Sequence, residues 1–397
     1  MSTNTDISSE AREDRTLHRP LSLWRNRDYL LLLSGQTISG VGSQVSLVAF
    51  PLLILALTHS PAQAGLMTAV RSLPRLIVTL PAGALVDRWD RKRLMLLCDT
   101  GRALALGSIP LALWLGYLSD IQLYLVALIE GTFFAFFTLA ESAALPRVVP
   151  AEQLADAASR NEALFSVSDM IGQALGPILF SLGRVVPFLT DAVSYIASVI
   201  SLLFIKTRFQ SERAARGKKG TASLGKDIWE GVTWLWDHTV IRFLAILTFG
   251  LMTPCSGYLL ILIVQGQRMH ASDYAMSFIL GSSGLGSIAG ALLAAPLYRR
   301  FGFVRVLLVS AWIWALTWLV YALAPNVLVL GICNALSFIV VPVYSIVQYS
   351  YRLANIPDAL QGRVNSVFRL LAFGGQPLGI AITGLLLQSL GPIYTVV

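Results

Sequence analysis

Apolar residues gather in eleven runs, at 30–57, 63–86, 94–117, 120–142, 163–183, 185–205, 240–265, 272–298, 303–324, 326–348 and 363–390, separated by polar gaps. Each run is close to or longer than the roughly 20 residues that carry a helix across the hydrocarbon of a bilayer. No water is available there to satisfy backbone N–H and C=O groups, so runs of this length are helical. The pattern predicts an all-α polytopic membrane protein.

One gap is long. Residues 206–239 divide the chain into a polar tail over 1–27, a first bundle over 28–205, a linker over 206–239 and a second bundle over 240–397. An internal repeat supports two halves of one design. Arg160, Phe165, Gly172, Gln173, Leu175, Gly176 and Leu182 recur 203 residues later as Arg363, Phe368, Gly375, Gln376, Leu378, Gly379 and Leu385. The fifth and eleventh runs are therefore counterparts, as in two parallel six-helix repeats. After Leu390 only GPIYTVV follows, so the twelfth helix is expected to be truncated.

Composition agrees with the pattern. The chain is 55% hydrophobic and 13% charged, whereas soluble domains carry about 25% charged residues. The net charge of +8 would suit nucleic acid only if it clustered on a soluble face. Instead the basic residues sit in the gaps. One set of gaps holds Arg88, Arg91, Lys92, Arg93, Arg147, Arg160, the stretch from Lys206 to Lys226, Arg299, Arg300, Arg305, Arg352 and Arg363; the other holds Arg184 and Arg268. The tail adds five arginines to the first set and has no apolar core of a signal peptide. The positive-inside rule then places the N-terminus in the cytoplasm and the spans in the cell (inner or plasma) membrane. Cys98, Cys255 and Cys333 lie in or beside apolar runs and read as free thiols.

The gap after the second run reads GALVDRWDRKR, Gly83 to Arg93. It resembles the loop signature of the major facilitator superfamily, G-x-L-x-D-R-x-G-R-[KR]-[KR], with Asp90 where glycine is common. Gly83 permits close helix approach, Asp87 can accept from a helix N-terminus, and Arg88 and Arg91 can pair with carboxylates. Together they read as a gating latch, with Asp99, Arg102 and Glu141 as its neighbours. The corresponding APLYRRFGFVR, from Ala295 to Arg305, lacks an aspartate at the latch position. In the fifth run Gly172, Gly176 and Pro177 resemble the G-x-x-x-G-P core of the exporter signature of that superfamily; small residues four apart also favour tight packing. The stretches LWRNRDY, LPRVVPAEQLADAASRN and DIWEGVTWLWDH extend the resemblance over essentially the whole chain, to the branch with macrolide-efflux proteins and enterobactin (siderophore) exporters. Many drug antiporters of the superfamily carry a basic residue in the middle of the fourth span. Here that region has Glu130, so their relay does not transfer.

A charge at the bilayer centre costs about 2.5–3.5 kcal/mol on insertion scales and marks function by default. Glu130 lies about 15 Å into the fourth run, counting 1.5 Å per residue, and is the first candidate to bind a proton or a cationic substrate. A fixed ion pair is its alternative. Asp169 and Asp191 are further candidates, and Arg71 and Arg75, one turn apart, are expected to meet carboxylates of neighbouring spans. The second half has few acids but offers Trp312, Trp314, Trp318, Asn334, Tyr344, Gln348, Tyr349 and Gln376 as an aromatic, weakly polar wall for substrate; packing is the competing reading.

No H-E-x-x-H and no G-x-x-x-x-G-K-[ST] occur, so neither a zinc hydrolase nor an ATP-driven pump is indicated. The expectation is no enzyme, no cofactor and no metal. The chain is expected to be a monomeric secondary active transporter that exports amphipathic small molecules in exchange for protons by alternating access. A proton-coupled importer and a non-transporting membrane receptor or scaffold are the alternatives.

Overall fold

The computed structural model describes residues 23–86, 89–207, 209, 221–357 and 360–396, with residues 79–86, 151, 155, 221–228 and 396 described by their backbone alone. The helices are α1 Arg27–Thr58, α2 Pro61–Val86, α3 Arg91–Trp114, α4 Asp120–Val148, α5 Leu154–Leu182, α6 Val186–Phe204, α7 Thr221–Asp237, α8 Thr239–Cys255, α9 Tyr258–Arg268, α10 Asp273–Phe301, α11 Phe303–Leu323, α12 Val327–Asn355, α13 Gln361–Phe373, α14 Gln376–Ser389 and α15 Gly391–Val396. No strand occurs among the described residues.

Local chemistry starts several helices where the apolar runs begin. Asn26, Asp90, Ser119, Ser272 and Asn326 each accept a hydrogen bond from a backbone N–H of the first turn they precede, which satisfies one of the donors a helix start leaves open.

Ten helical stretches among the described residues are long and apolar enough to cross a membrane. They coincide with ten of the eleven expected runs. The exception is α2, a 26-residue helix whose sequence carries Arg71 and Arg75. It packs along α4 and α14 all the same. The seventh and eleventh runs are broken helices, Thr239–Arg268 at Ser256–Gly257 and Gln361–Ser389 at Gly374–Gly375. The two breaks meet: Ser256 Oγ donates to the Gln376 carbonyl at 3.1 Å. Broken helices of this kind are tolerated in membranes where the freed backbone groups find partners inside the protein.

The expected linker is not irregular throughout, because residues 221–237 form α7. Leu224, Ile228, Val232 and Leu235 recur at helical spacing. Leu235 is buried with Ile241, Leu244, Val364 and Phe368, and Glu230 pairs with Arg363 at 2.5 Å. The short C-terminal α15 packs on α14 and α11.

Helix ends define two faces. One holds Asn26, which donates to the Val148 carbonyl at 2.7 Å, and Lys92, which donates to the Ile205 carbonyl at 2.6 Å. It also carries the ends of α10 and α12 with Arg299, Arg300 and Arg352, and is termed the basic face. The opposite face holds the turns at Ser60 and Ser119.

The repeat seen in the sequence is also a repeat of packing. Gly172 and Gly176 of α5 lie against Val41, Gln44 and Val48 of α1, where a Cβ on Gly172 would stand 2.6 Å from the Val41 carbonyl oxygen. Their counterparts Gly375 and Gly379 lie against Thr253 of α8 and, for Gly379, Ser256 at its end. The seams between the halves obey the same exchange, since α2 meets α14 and α5 meets α10. Leucine in place of Gly172 would push a side chain into the α1 backbone, and is expected to cost about 1–3 kcal/mol by overpacking, read as a lowered unfolding temperature in detergent. An unchanged temperature would show that α1 and α5 separate freely.

Candidate functional site

The first six spans bury a cluster of charge around Glu130 of α4, which is 1% exposed. Its Oε2 accepts from Arg71 Nε of α2, and its Oε1 accepts from Arg102 Nη2 of α3 at 2.8 Å. Gly131 makes the first contact possible, because the α2 backbone at Arg71 occupies the place a Cβ would take. Arg102 also donates to Ser43 Oγ of α1 at 3.1 Å and lies 4.0 Å over the Tyr195 ring of α6. Ser43 and Tyr195 share a hydrogen bond at 2.7 Å. Five helices thus meet on one polar knot.

Two more carboxylates border it. Asp99 Oδ1 is 3.8 Å from Arg102 Nη1, and Asp191 of α6 accepts from Ser194 Oγ at 3.2 Å. Both are fully buried. Among the described residues neither oxygen of Asp99, nor Oδ2 of Asp191, accepts a close hydrogen bond, although the Ser198 and Ser46 hydroxyls lie near the two acids. Gly42 admits Asp191 to this position, since a Cβ there would stand 2.5 Å from Asp191 Oδ1. The cluster therefore opposes three carboxylates to two guanidiniums. A buried charge is tolerated when it is paired and hydrogen-bonded, and the three acids can share only two cations.

A small cavity of about 110 Å³ opens beside the knot, lined by Gln36, Ser39, Ser43, Arg102, Phe134, Glu141, Asn161 and Ser168 among others. Apart from Arg102 of α3, its lining comes from the part of α1, α4 and α5 nearer the basic face. Contacts between the halves lie elsewhere. Ser60 Oγ donates to Gln388 Oε1 at 2.7 Å, Gly65 abuts Gly384, and Gly281 abuts Ala174. Among the described residues these hydrogen bonds and close glycine contacts run from the opposite face to about the middle of the spans.

The candidates from the sequence distribute unevenly around this site. Arg71, Glu130 and Asp191 come together, and Arg71 meets a carboxylate of a neighbouring span. Asp99 and Arg102, read as neighbours of the loop latch, instead join the Glu130 knot, because their positions on α3 face α4 and α6. Glu141 lines the cavity, while Arg91 donates to the carbonyls of Ala143 at 2.7 Å and Phe209 at 3.4 Å. Asp87 and Arg88 lie outside the described residues, and of Gly83 only its place in α2 is described. Asp169 accepts from Gln173 at 2.8 Å on the α5 side facing the second half. Arg75 stacks 5.7 Å from the Phe134 ring.

The expected substrate wall of the second half is mostly internal packing. Tyr344 shares a hydrogen bond with Thr248 at 2.9 Å, and Gln348 donates to the same hydroxyl. Asn334 donates to the Ile279 carbonyl at 2.8 Å and accepts from Tyr321. All three are buried, and their polar groups are spent on joining α8, α10, α11 and α12 rather than facing a ligand. Trp314 is buried too, Trp318 packs against the core, and Trp312 lies exposed on α11. Gln376 offers its carbonyl to Ser256. Sequence reading missed Ser43 and Tyr195; Tyr195 lies four residues after Asp191 and shares its helix face, the one signal that pointed to it.

Known proteins share this fold. A nucleoside transporter, NupG, superposes with a TM-score of 0.74 at 15% identity, covering 93% of this chain and 94% of that one. A bacterial homologue of the iron transporter ferroportin gives 0.71 at 18% identity, covering 94% and 95%. In sequence, the multidrug efflux pump Tap of Mycolicibacterium fortuitum is 26% identical over 373 residues, 91% of this chain and 90% of that protein. The enterobactin exporter EntS of Citrobacter koseri is 25% identical over 346 residues, 87% and 82%. The family model described as transmembrane secretion effector matches residues 19–396, and the chain, a multi-pass membrane protein, belongs to that family of major facilitator transporters.

Proposed function

We propose that this protein exports amphipathic small molecules from the cytoplasm across the cell membrane by alternating access, driven by protons entering in exchange. Relatives named as a multidrug efflux pump and an enterobactin exporter support the direction. The observation that carries proton coupling is the imbalance of the buried knot, three carboxylates against two guanidiniums. Glu130 is held by both arginines and acts as their counterion. Asp191, whose Oδ2 accepts no close hydrogen bond among the described residues, is the place where a proton enters and leaves. Its charge then alters how strongly Arg102 is drawn from Glu130 and Ser43, which links protonation to the seating of α3 and α6 on α1.

The basic face is cytoplasmic in this reading, as the asymmetry of lysine and arginine indicates. Cargo enters the cavity at Glu141 and Phe134 while the opposite face is closed. Rocking of the halves about the α2–α14 and α5–α10 seams then exposes it to the other side. A ligand moves that equilibrium only by binding one state better than the other.

Flux in inverted vesicles tests this. With an imposed proton gradient, an amphipathic dye such as N-phenylnaphthylamine accumulates, and collapsing the gradient abolishes the accumulation. Asp191→Asn is expected to keep downhill flux and lose accumulation at least tenfold. Accumulation by the variant at the native level would remove Asp191 from the coupling step.

A further inference from the structure

Helix α7 carries an apolar arc that the protein only half covers. Counting about 100° per residue, Gly231, Leu235, Val232, Trp236 and Trp229 follow one another around one side of the helix, while Thr233, Asp237 and Glu230 occupy the other. The first part of the arc is packed. A Cβ on Gly231 would stand 3.0 Å from the Arg363 carbonyl oxygen of α13, and Leu235 is buried among Ile241, Leu244, Val364 and Phe368. The second part is open, with Trp229 71% and Trp236 52% exposed.

The open part runs on into an exposed apolar wall. Val240, Phe243 and Ile246 stand exposed at helical spacing along α8, which begins a stretch long and apolar enough to cross the membrane. The corner joining the two helices is fixed from within. His238 stacks on Trp234 with ring centroids 3.6 Å apart, and its Nδ1 is 2.7 Å from the Trp234 carbonyl oxygen. Arg242 Nη1 donates to the Trp236 carbonyl at 2.9 Å, and the guanidinium lies 5.9 Å from the Trp236 ring centroid. Arg242 forms no ion pair with a carboxylate among the described residues. The exposed acids Glu230 and Asp237 are on the polar arc, away from the tryptophans.

We propose that α7 and its corner with α8 dock on the phospholipid of the basic-face leaflet: Trp229 and Trp236 lie at the boundary between headgroups and acyl chains, and Arg242 takes a headgroup phosphate. Indole gathers at this depth because its ring is apolar and its N–H needs a partner. A helix apolar on one side and polar on the other lies in that plane, and a guanidinium matches phosphate oxygens in geometry and charge. The docked helix is also a brace. Gly231 and the Glu230–Arg363 pair tie it to the first turn of α13, half of the broken span whose other part, α14, meets α2 at a seam between the halves. Lipid that seats α7 therefore steadies the start of α13. This assignment needs only the membrane setting and is independent of cargo and coupling.

Quenching by brominated lipid tests the placement. The full chain is held one copy to a nanodisc, and the emission of a Trp229→Tyr, Trp236→Tyr variant is subtracted from that of the native protein. The difference is expected to be quenched strongly by phosphatidylcholine brominated near the headgroup, weakly by the same lipid brominated near the chain ends, and little by aqueous iodide. Should the variant fail to fold, hydrogen exchange of the native protein tests the same placement. Amides of residues 229–237 are expected to exchange about tenfold more slowly in nanodiscs than in maltoside micelles, which offer no phosphate, equivalent to about 1.4 kcal/mol of added opening cost. Arg242→Gln is expected to lose most of that difference and to leave exchange in micelles unchanged.

Quenching by iodide in place of brominated lipid overturns the docking, because the tryptophans then face water. Stronger quenching from the chain ends overturns the interfacial depth and makes both rings part of the hydrocarbon wall. Quenching that disappears in discs holding two copies overturns lipid as the occupant and assigns the surface to a second copy of this chain. Equal exchange in discs and micelles overturns the seating of α7 by lipid, and native-like protection in Arg242→Gln discs removes the phosphate contact.

Discussion

Replacing Glu130 by alanine is expected to cost the fold about 3–5 kcal/mol, the loss seen when one partner of a buried ion pair is removed. Two guanidiniums, of Arg71 and Arg102, would be left in the interior against Asp99 at 3.8 Å and Asp191. Thermal unfolding in detergent reads the loss directly. Glu130→Gln separates charge from volume: it keeps the side chain's shape and a carbonyl acceptor, yet is expected to lose most of the same stability and all gradient-driven flux. Removing both charges with Glu130→Gln and Arg71→Met together should recover part of the stability, because the remaining Arg102 still has Asp99 and Asp191. A single variant as stable as the native protein would show that water reaches the knot and that the charges are not interior ones.

Valine at Gly65 is expected to stop transport by a different route, leaving the fold intact. A Cβ on Gly65 would stand 2.7 Å from Gly384 Cα and 3.0 Å from the Ile380 carbonyl oxygen. Backbone atoms cannot turn aside as a flexible side chain can, so α2 and α14 must part. That contact belongs to the state closed at the opposite face, where Gln388 also receives Ser60 Oγ and the Ala62 N–H. Destabilising closure by a few kcal/mol shifts the two-state population by about a hundredfold or more. Spin labels at Gln63 and Ser389, both exposed near this seam, are expected to move apart, and export to fall at least tenfold. An unchanged label distance with full export would show that the closed state does not need the glycine contact.

These expectations differ in how far they were visible along the chain. The helices were legible because lipid leaves a long apolar run no alternative to helix, and Asn26, Asp90 and Ser119 mark starts by capping. Runs at 240–265 and 363–390 looked continuous, yet they break at Ser256–Gly257 and Gly374–Gly375, where each break is stabilised by the other. A contact between residues some 120 positions apart leaves no local pattern. The segment 221–237 was read as part of a linker because its few apolar positions are outnumbered; its helix becomes favourable only with α13 beneath it.

The charged residues show the same division. That Arg71, Asp99, Arg102, Glu130 and Asp191 lie within apolar runs is written in the chain, and the insertion cost of each declares that it has a purpose. Which of them pair is not, because hydrogen bonds reach only about 3 Å while these residues come from five different helices with Ser43 and Tyr195. Asn334, Tyr344 and Gln348 looked like ligand contacts for the complementary reason: a polar side chain in an apolar run needs a partner, and sequence does not say whether that partner is cargo or a neighbouring carbonyl. The 203-residue repeat, the eleven apolar runs and the one-sided basic gaps came from the order of residues, since periodicity and polarity are properties of a segment. The charge knot and the glycine seams came only from folding, since each depends on atoms that the chain brings together from far apart.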